Sequence, residues 1–102
     1  MGKKLESKFQ GELKKEIETR IPGSKVIRLN PNDNWNGIPD LLIINGQKWA
    51  ALESKREEKA SHRNHQDYYI EQMNDMSYAA FIYPENKEDI IEELSGYFSE
   101  ED

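Results

Sequence analysis

Apolar residues recur every four positions at Leu5, Phe9, Leu13 and Ile17, with polar residues filling most places between. That spacing predicts an amphipathic helix over about 5–20, which Pro22-Gly23 should stop. A short β-prone run follows at 25–29 (K-V-I-R-L), then a dense cluster of turn formers at 30–37 (N-P-N-D-N-W-N-G) that predicts an exposed loop. The segments 40–44 and 47–55 flank Asn45-Gly46, the preferred pair for a two-residue type I′ hairpin turn. Ser61 or Asn64 can cap a second helix, whose apolar stripe is Tyr69, Met73 and Met76. Residues 78–83 (Y-A-A-F-I-Y) read as a buried strand. After Pro84, Asn86 can cap a last helix carrying Ile90, Ile91, Leu94, Tyr97 and Phe98. The order is α-β-β-β-α-β-α, and a central mixed β-sheet flanked by helices is the natural way to bury these stripes, giving an α/β fold.

A chain of 102 residues suffices for one compact domain, 1–102, with an acidic tail at about 99–102 expected to be flexible. Cysteine is absent, which excludes a disulfide framework and a thiolate metal site. No apolar stretch reaches the length of a membrane helix, so a cytoplasmic protein without a membrane partner is expected. The net charge of −6 argues against a general nucleic-acid binder, because phosphate contacts come from cations. The distribution softens that objection. Lys55, Arg56, Lys59 and Arg63, with His62 and His65 among them, form a locally basic segment, while many carboxylates lie in the last third.

The hairpin places charged residues on faces. With Asn45-Gly46 as the turn, Ile44 faces Gln47 and Asp40 falls opposite Ala51. Alternation then puts Asp40, Ala51, Glu53 and Lys55 on one side, with Ser54 pointing to the other. Asp40 and Glu53 become diagonal neighbours, roughly 7–8 Å apart, within reach of one metal ion. Glu53 and Lys55 end the strand stretch Trp49-Ala50-Ala51-Leu52, where unpaired charges would be costly. The plain alternative is a Glu–Lys pair at a wet strand end. The E-x-K spacing alone carries little, since Glu6-Ser7-Lys8, Glu12-Leu13-Lys14 and Glu57-Glu58-Lys59 share it. The strand context and the partner acid in Gly37-Ile38-Pro39-Asp40 distinguish Glu53-Ser54-Lys55.

Pro39-Asp40 followed across a hairpin by Glu53-Ser54-Lys55 resembles the PD-(D/E)XK nuclease motif. The run Gly37-Ile38-Pro39-Asp40-Leu41-Leu42-Ile43, with Gln66 on a later helix, looks like the small phage and VRR-NUC-type or Holliday-junction-resolvase-like branch of that superfamily. The resemblance covers roughly 5–98. It implies a restriction-endonuclease-like core and a divalent-metal-dependent DNA endonuclease, acting on branched DNA in some relatives, phage-encoded or prokaryotic, and active as a homodimer. Asp40 and Glu53, with the backbone carbonyl of Ser54, would hold Mg²⁺ or Mn²⁺, hard cations that favour oxygen ligands. Lys55 would orient or help deprotonate the attacking water. The open alternative is a binding module for nucleic acid or protein that retains the fold without catalysis, and a blander one is an interaction factor docking through Tyr97 and Phe98.

Many members of that family add an acid from the first helix. At about 100° per residue, Glu6 falls within the inward arc, Glu16 near it and Glu12 well to its side, and Glu6 best fits the family pattern. Glu6 is therefore assigned to the catalytic set, with its place at the helix's N-terminal end as the bland reading. Gln66, Gln10, Arg56, Lys59, Arg63, His62, His65 and Trp35 are assigned to DNA contact or support of the site. For His62 and His65, phosphate contact or an idle helix start outranks zinc, since no third ligand is evident.

Overall fold

The computed structural model describes residues 2–29, 38–59 and 64–100, with side chains described at 7–29, 38–59 and 66–100. Helix α1 (Gly2–Arg20) buries Leu13 and Ile17 completely and lays Phe9 against the core. Pro22-Gly23 ends it as the sequence predicts, and Gly23 adopts a left-handed φ of 89° beside the Asn45 side chain. The chain then runs through β1 (Ser24–Arg28), β2 (Leu41–Asn45), β3 (Lys48–Ser54), α2 (Asn64–Met76), β4 (Tyr78–Ile82) and α3 (Lys87–Ser99). The fold is α/β, in the order α-β-β-β-α-β-α.

The sheet has four strands in the order β1-β2-β3-β4. The first two pairings are antiparallel and β3–β4 is parallel, with α2 as the crossover. Val26, Leu41, Ile43, Ala50, Leu52 and Ile82 line one face, packed by α1 and by Ile90, Ile91 and Leu94 of α3. The opposite face carries Ala51 and Glu53, and α2 covers it over β3 and β4. Over β1 and β2 that face stays more open, with Ile27 and Ile44 each 38% exposed.

The hairpin register differs from the expected one. Asn45 pairs with Lys48 and Ile44 with Trp49, so the turn residues are Gly46 and Gln47. Gly46 has a φ of 64°, and no described non-glycine residue has a positive φ. A positive φ at the first central position alone is the type II′ requirement, whereas type I′ needs two. Asn45 is instead drawn into the sheet, where its Nδ2 donates to the Pro22 carbonyl at 3.2 Å and the Ser24 hydroxyl at 2.9 Å. The pairing slides by two positions, so the alternation of faces within β2 and β3 survives. It sets Leu42, not Asp40, opposite Ala51.

Asn86 occupies the residue before α3 but does not cap it with its side chain. Its Oδ1 accepts from the Tyr83 amide at 2.9 Å, and its Nδ2 donates to the Phe81 carbonyl at 3.1 Å. The side chain is spent closing the end of β4. Tyr97 and Phe98 are tied into the fold. Both are half-buried, Phe98 packs on the core, and the Tyr97 and Ser77 hydroxyls are 2.6 Å apart.

Candidate active site

The ladder between β2 and β3 runs no further than Leu41–Leu52, while Asp40 continues the pairing with β1 by accepting from the Leu29 amide at 2.7 Å. Pro39, fully buried, precedes it without a donor to satisfy. Asp40 thus stands one step past the last β2–β3 pair, level with Glu53. Its carboxylate closes the gap: Oδ1 accepts from the Ser54 amide at 2.9 Å, and Oδ2 accepts from the Ser54 hydroxyl at 2.6 Å. Gln10 of α1 adds a third bond, from Nε2 to Asp40 Oδ2 at 2.6 Å. The same Nε2 lies 3.1 Å from Ser54 Oγ, so Gln10, Ser54 and Asp40 form a closed triangle of hydrogen bonds.

These contacts correct the expected face of Asp40. The carboxylate turns toward Ser54 and α1 rather than standing beside Glu53 on the α2 side, because alternation no longer binds a residue whose ladder with β3 has ended. Burial raises the Asp40 pKa, against the lowering effect of the Ser54 hydroxyl, the Ser54 amide and the Gln10 amide. Those three partners are neutral.

Glu53 and Lys55 lie on the α2 side, both only 7% exposed. Lys55 Nζ approaches Glu53 Oε2 at 3.8 Å and donates to Gln66 Oε1 at 2.7 Å. Gln66 Nε2 in turn donates to Glu53 Oε2 at 3.0 Å. One buried glutamine therefore binds an anion with its amide hydrogens and a cation with its oxygen, which fixes the orientation of its amide. A simple pair at a wet strand end does not describe these residues. The Lys55 amide continues the ladder, donating to the Ile82 carbonyl at 2.8 Å.

The remaining assigned residues separate. Arg56 and Lys59 are exposed beyond the end of β3. The side chains of Glu6 and His65, and the residues Trp35, His62 and Arg63, lie outside what is described. Among the described side chains of the first helix, Gln10, four residues after Glu6, touches Asp40. Ser54 is expected from the sequence to act through its carbonyl alone, and Arg28 is not expected at the site at all. The Ser54 hydroxyl and amide hold Asp40, and Arg28 holds Gln10, with its Nη2 3.0 Å from Gln10 Oε1 and 3.1 Å from the Ser7 hydroxyl. Arg28 gave no usable signal, since it ends an exposed strand and meets α1 only in three dimensions.

Among the described residues no three His, Cys, Asp or Glu side chains cluster as a metal cage. The donor set that remains is two carboxylates and a backbone carbonyl, all hard oxygens, which suits Mg²⁺ or Mn²⁺ ions that keep several waters and not zinc. The Asp40 carboxylate, half-buried and ringed by neutral donors, is also a place where a cation would be stabilised. No family model, curated protein or solved structure matches the chain.

Proposed function

We propose that this chain is a divalent-metal-dependent DNA endonuclease with a PD-(D/E)XK-type site on a restriction-endonuclease-like core. The observation that supports it most is that the half-buried Asp40 carboxylate and the buried Glu53–Gln66–Lys55 group lie at the same end of β3, on its two faces. Burying Glu53, Lys55 and Gln66 together beside a half-buried acid is costly, which favours a role in chemistry over a purely structural one.

Asp40, Glu53 and the Ser54 carbonyl would hold Mg²⁺ or Mn²⁺. When bound, such an ion polarises the phosphoryl oxygen, activates water and stabilises the leaving 3′-oxygen. Gln10 and Ser54 keep the Asp40 carboxylate from rotating. Gln66 holds the Lys55 ammonium beside Glu53, where it can orient the attacking water or take part in its deprotonation. The products would carry 5′-phosphates. Cutting two strands of branched DNA would need two copies of this single site, hence a homodimer.

The test is incubation of the purified protein with branched, flapped, nicked and linear DNA in Mg²⁺ or Mn²⁺, beside Asp40→Asn and Lys55→Met. Cleavage by the wild type alone is the expected result. Equal cleavage by Asp40→Asn, or none of any substrate, would overturn the reading. DNA binding without cleavage would instead favour a non-catalytic binding module.

A further inference from the structure

On the far side of α1 from Arg28, a cleft of about 230 Å³ is lined by Lys8, Phe9, Glu12, Arg56 and Pro84. Three of the segments that build the site continue directly into it. Lys8 lies two residues before Gln10 on α1, and Arg56 two residues after Ser54. Pro84 lies two residues after Ile82, whose carbonyl receives the Lys55 amide. The cleft therefore opens at the carboxyl ends of the parallel pair β3–β4, the end of the sheet that carries Asp40 and Glu53, and where ligands of α/β sheets commonly bind.

Its cations are also set apart. In a chain with 20 acidic and 14 basic residues, Lys14, Arg20 and Lys87 each engage a glutamate at 3.0 Å. Lys8 makes no ion pair among the described residues. Arg56 has a 3.8 Å contact with Glu57, at side-chain exposures of 47% and 54%, which solvent screens. Two available cations beside an apolar floor of Phe9 and Pro84 match the two halves of a nucleotide: phosphate on the rim, base on the ring. The volume falls below the roughly 300–1,000 Å³ of pockets for drug-sized ligands. It admits one such group, and a base enters only when it is outside a duplex stack.

We propose that this cleft binds one unpaired nucleotide of the DNA substrate adjacent to the bond that is cut, with its phosphate on Lys8 and Arg56 and its base against Phe9 and Pro84. This deepens the endonuclease reading and rests on it. Substrates with a flap, fork or junction would then be favoured because they present such a nucleotide, and Glu12 at the rim would weaken the contact.

The experiment measures binding of an oligothymidine, and of a blunt duplex as the comparison, to the wild-type chain in EDTA, where no metal-dependent cutting occurs. Amide shift changes are expected at Lys8, Phe9 and Arg56 with the single strand, and weaker binding of the duplex. Lys8→Ala with Arg56→Ala should flatten the salt dependence by about two phosphate contacts. Phe9→Leu, which keeps an apolar core side chain, should weaken single-strand binding about tenfold. Glu12→Gln should strengthen it. Shifts confined to other surfaces, no binding of the single strand, or equal affinity for duplex and single strand would each overturn the proposal. Wild-type cleavage that persists unchanged in the cleft variants would sink the cleft alone, whereas absence of wild-type cleavage with single-strand binding intact would sink the endonuclease reading.

Discussion

Gln10 on α1 and Asp40 at the head of β2 are joined by a 2.6 Å hydrogen bond across a separation of 30 residues. Its direction is enforced from behind: Arg28 occupies the Gln10 oxygen, so both amide hydrogens are left for Asp40 and Ser54. A flipped amide would set its oxygen against the Asp40 carboxylate and its hydrogens against a guanidinium. Arg28 thus positions Asp40 without touching it.

Arg28→Leu should therefore release the Gln10 amide while leaving the fold intact. In metal-free protein the Gln10 side-chain NH₂ resonances should lose their order, which ¹⁵N relaxation detects. Affinity for Mn²⁺ should fall about tenfold, as expected on loss of an outer-shell partner. Arg20→Leu, which removes an exposed arginine of α1, serves as the control. An ordered Gln10 amide in Arg28→Leu would refute the positioning role.

Burial raises the Asp40 pKa above its ordinary 3.8, so the folded state binds this proton more tightly than the unfolded chain does. The resulting contribution to stability is fully present below 3.8 and is lost as pH rises through the folded value. Asp40→Asn has no such proton. Denaturant unfolding of the metal-free proteins should show the wild type losing ground to Asp40→Asn across that window. A difference that does not change with pH would contradict it.

Lys55→Met should destabilise the chain by about 3 kcal/mol, because it takes a cation from beside a Glu53 carboxylate only 7% exposed. Adding Glu53→Gln should recover much of that loss, since the buried charge goes with it. Urea midpoints of the single and double variants measure the coupling. Additive losses would show that Glu53 and Lys55 do not depend on each other.

Asn45→Ala removes the bonds to the Pro22 carbonyl and the Ser24 hydroxyl, which tie the hairpin to the turn after α1. A loss of about 1 kcal/mol is expected. An Asn45 acting merely as a turn residue would tolerate glycine, so Asn45→Gly retaining full stability would argue for the unshifted turn.

Much of the architecture was legible because local rules and tertiary packing agree. The stripe of Phe9, Leu13 and Ile17 does face the core, and the apolar run ahead of Glu53 is a central strand. The turn was misplaced by one residue because Asn45-Gly46 satisfies a local preference that two distant partners of Asn45 override. The direction of Asp40 was illegible for a related reason. Alternation holds only where a ladder holds, and nothing local marks Leu41–Leu52 as the last β2–β3 pair. The helix wheel could rank acids but not reveal that a neutral amide, Gln10, meets Asp40, since that contact depends on how α1 crosses the sheet.

The bond from the Ser54 amide to Asp40 Oδ1 has a consequence for how the chain can be disarmed. Ser54 is 1% exposed, and the acceptor that a neighbouring strand's backbone would ordinarily supply is here a side chain. Truncating Asp40 to alanine would remove an acid and also orphan a buried amide, so dead protein and unravelled protein would look alike in an activity assay. Asparagine retains an oxygen for the Ser54 amide and gives up the charge together with the second acceptor, which Gln10 and the Ser54 hydroxyl now use. A blank made that way would report on chemistry, and the same substitution arising by chance could silence this site while leaving the sheet whole.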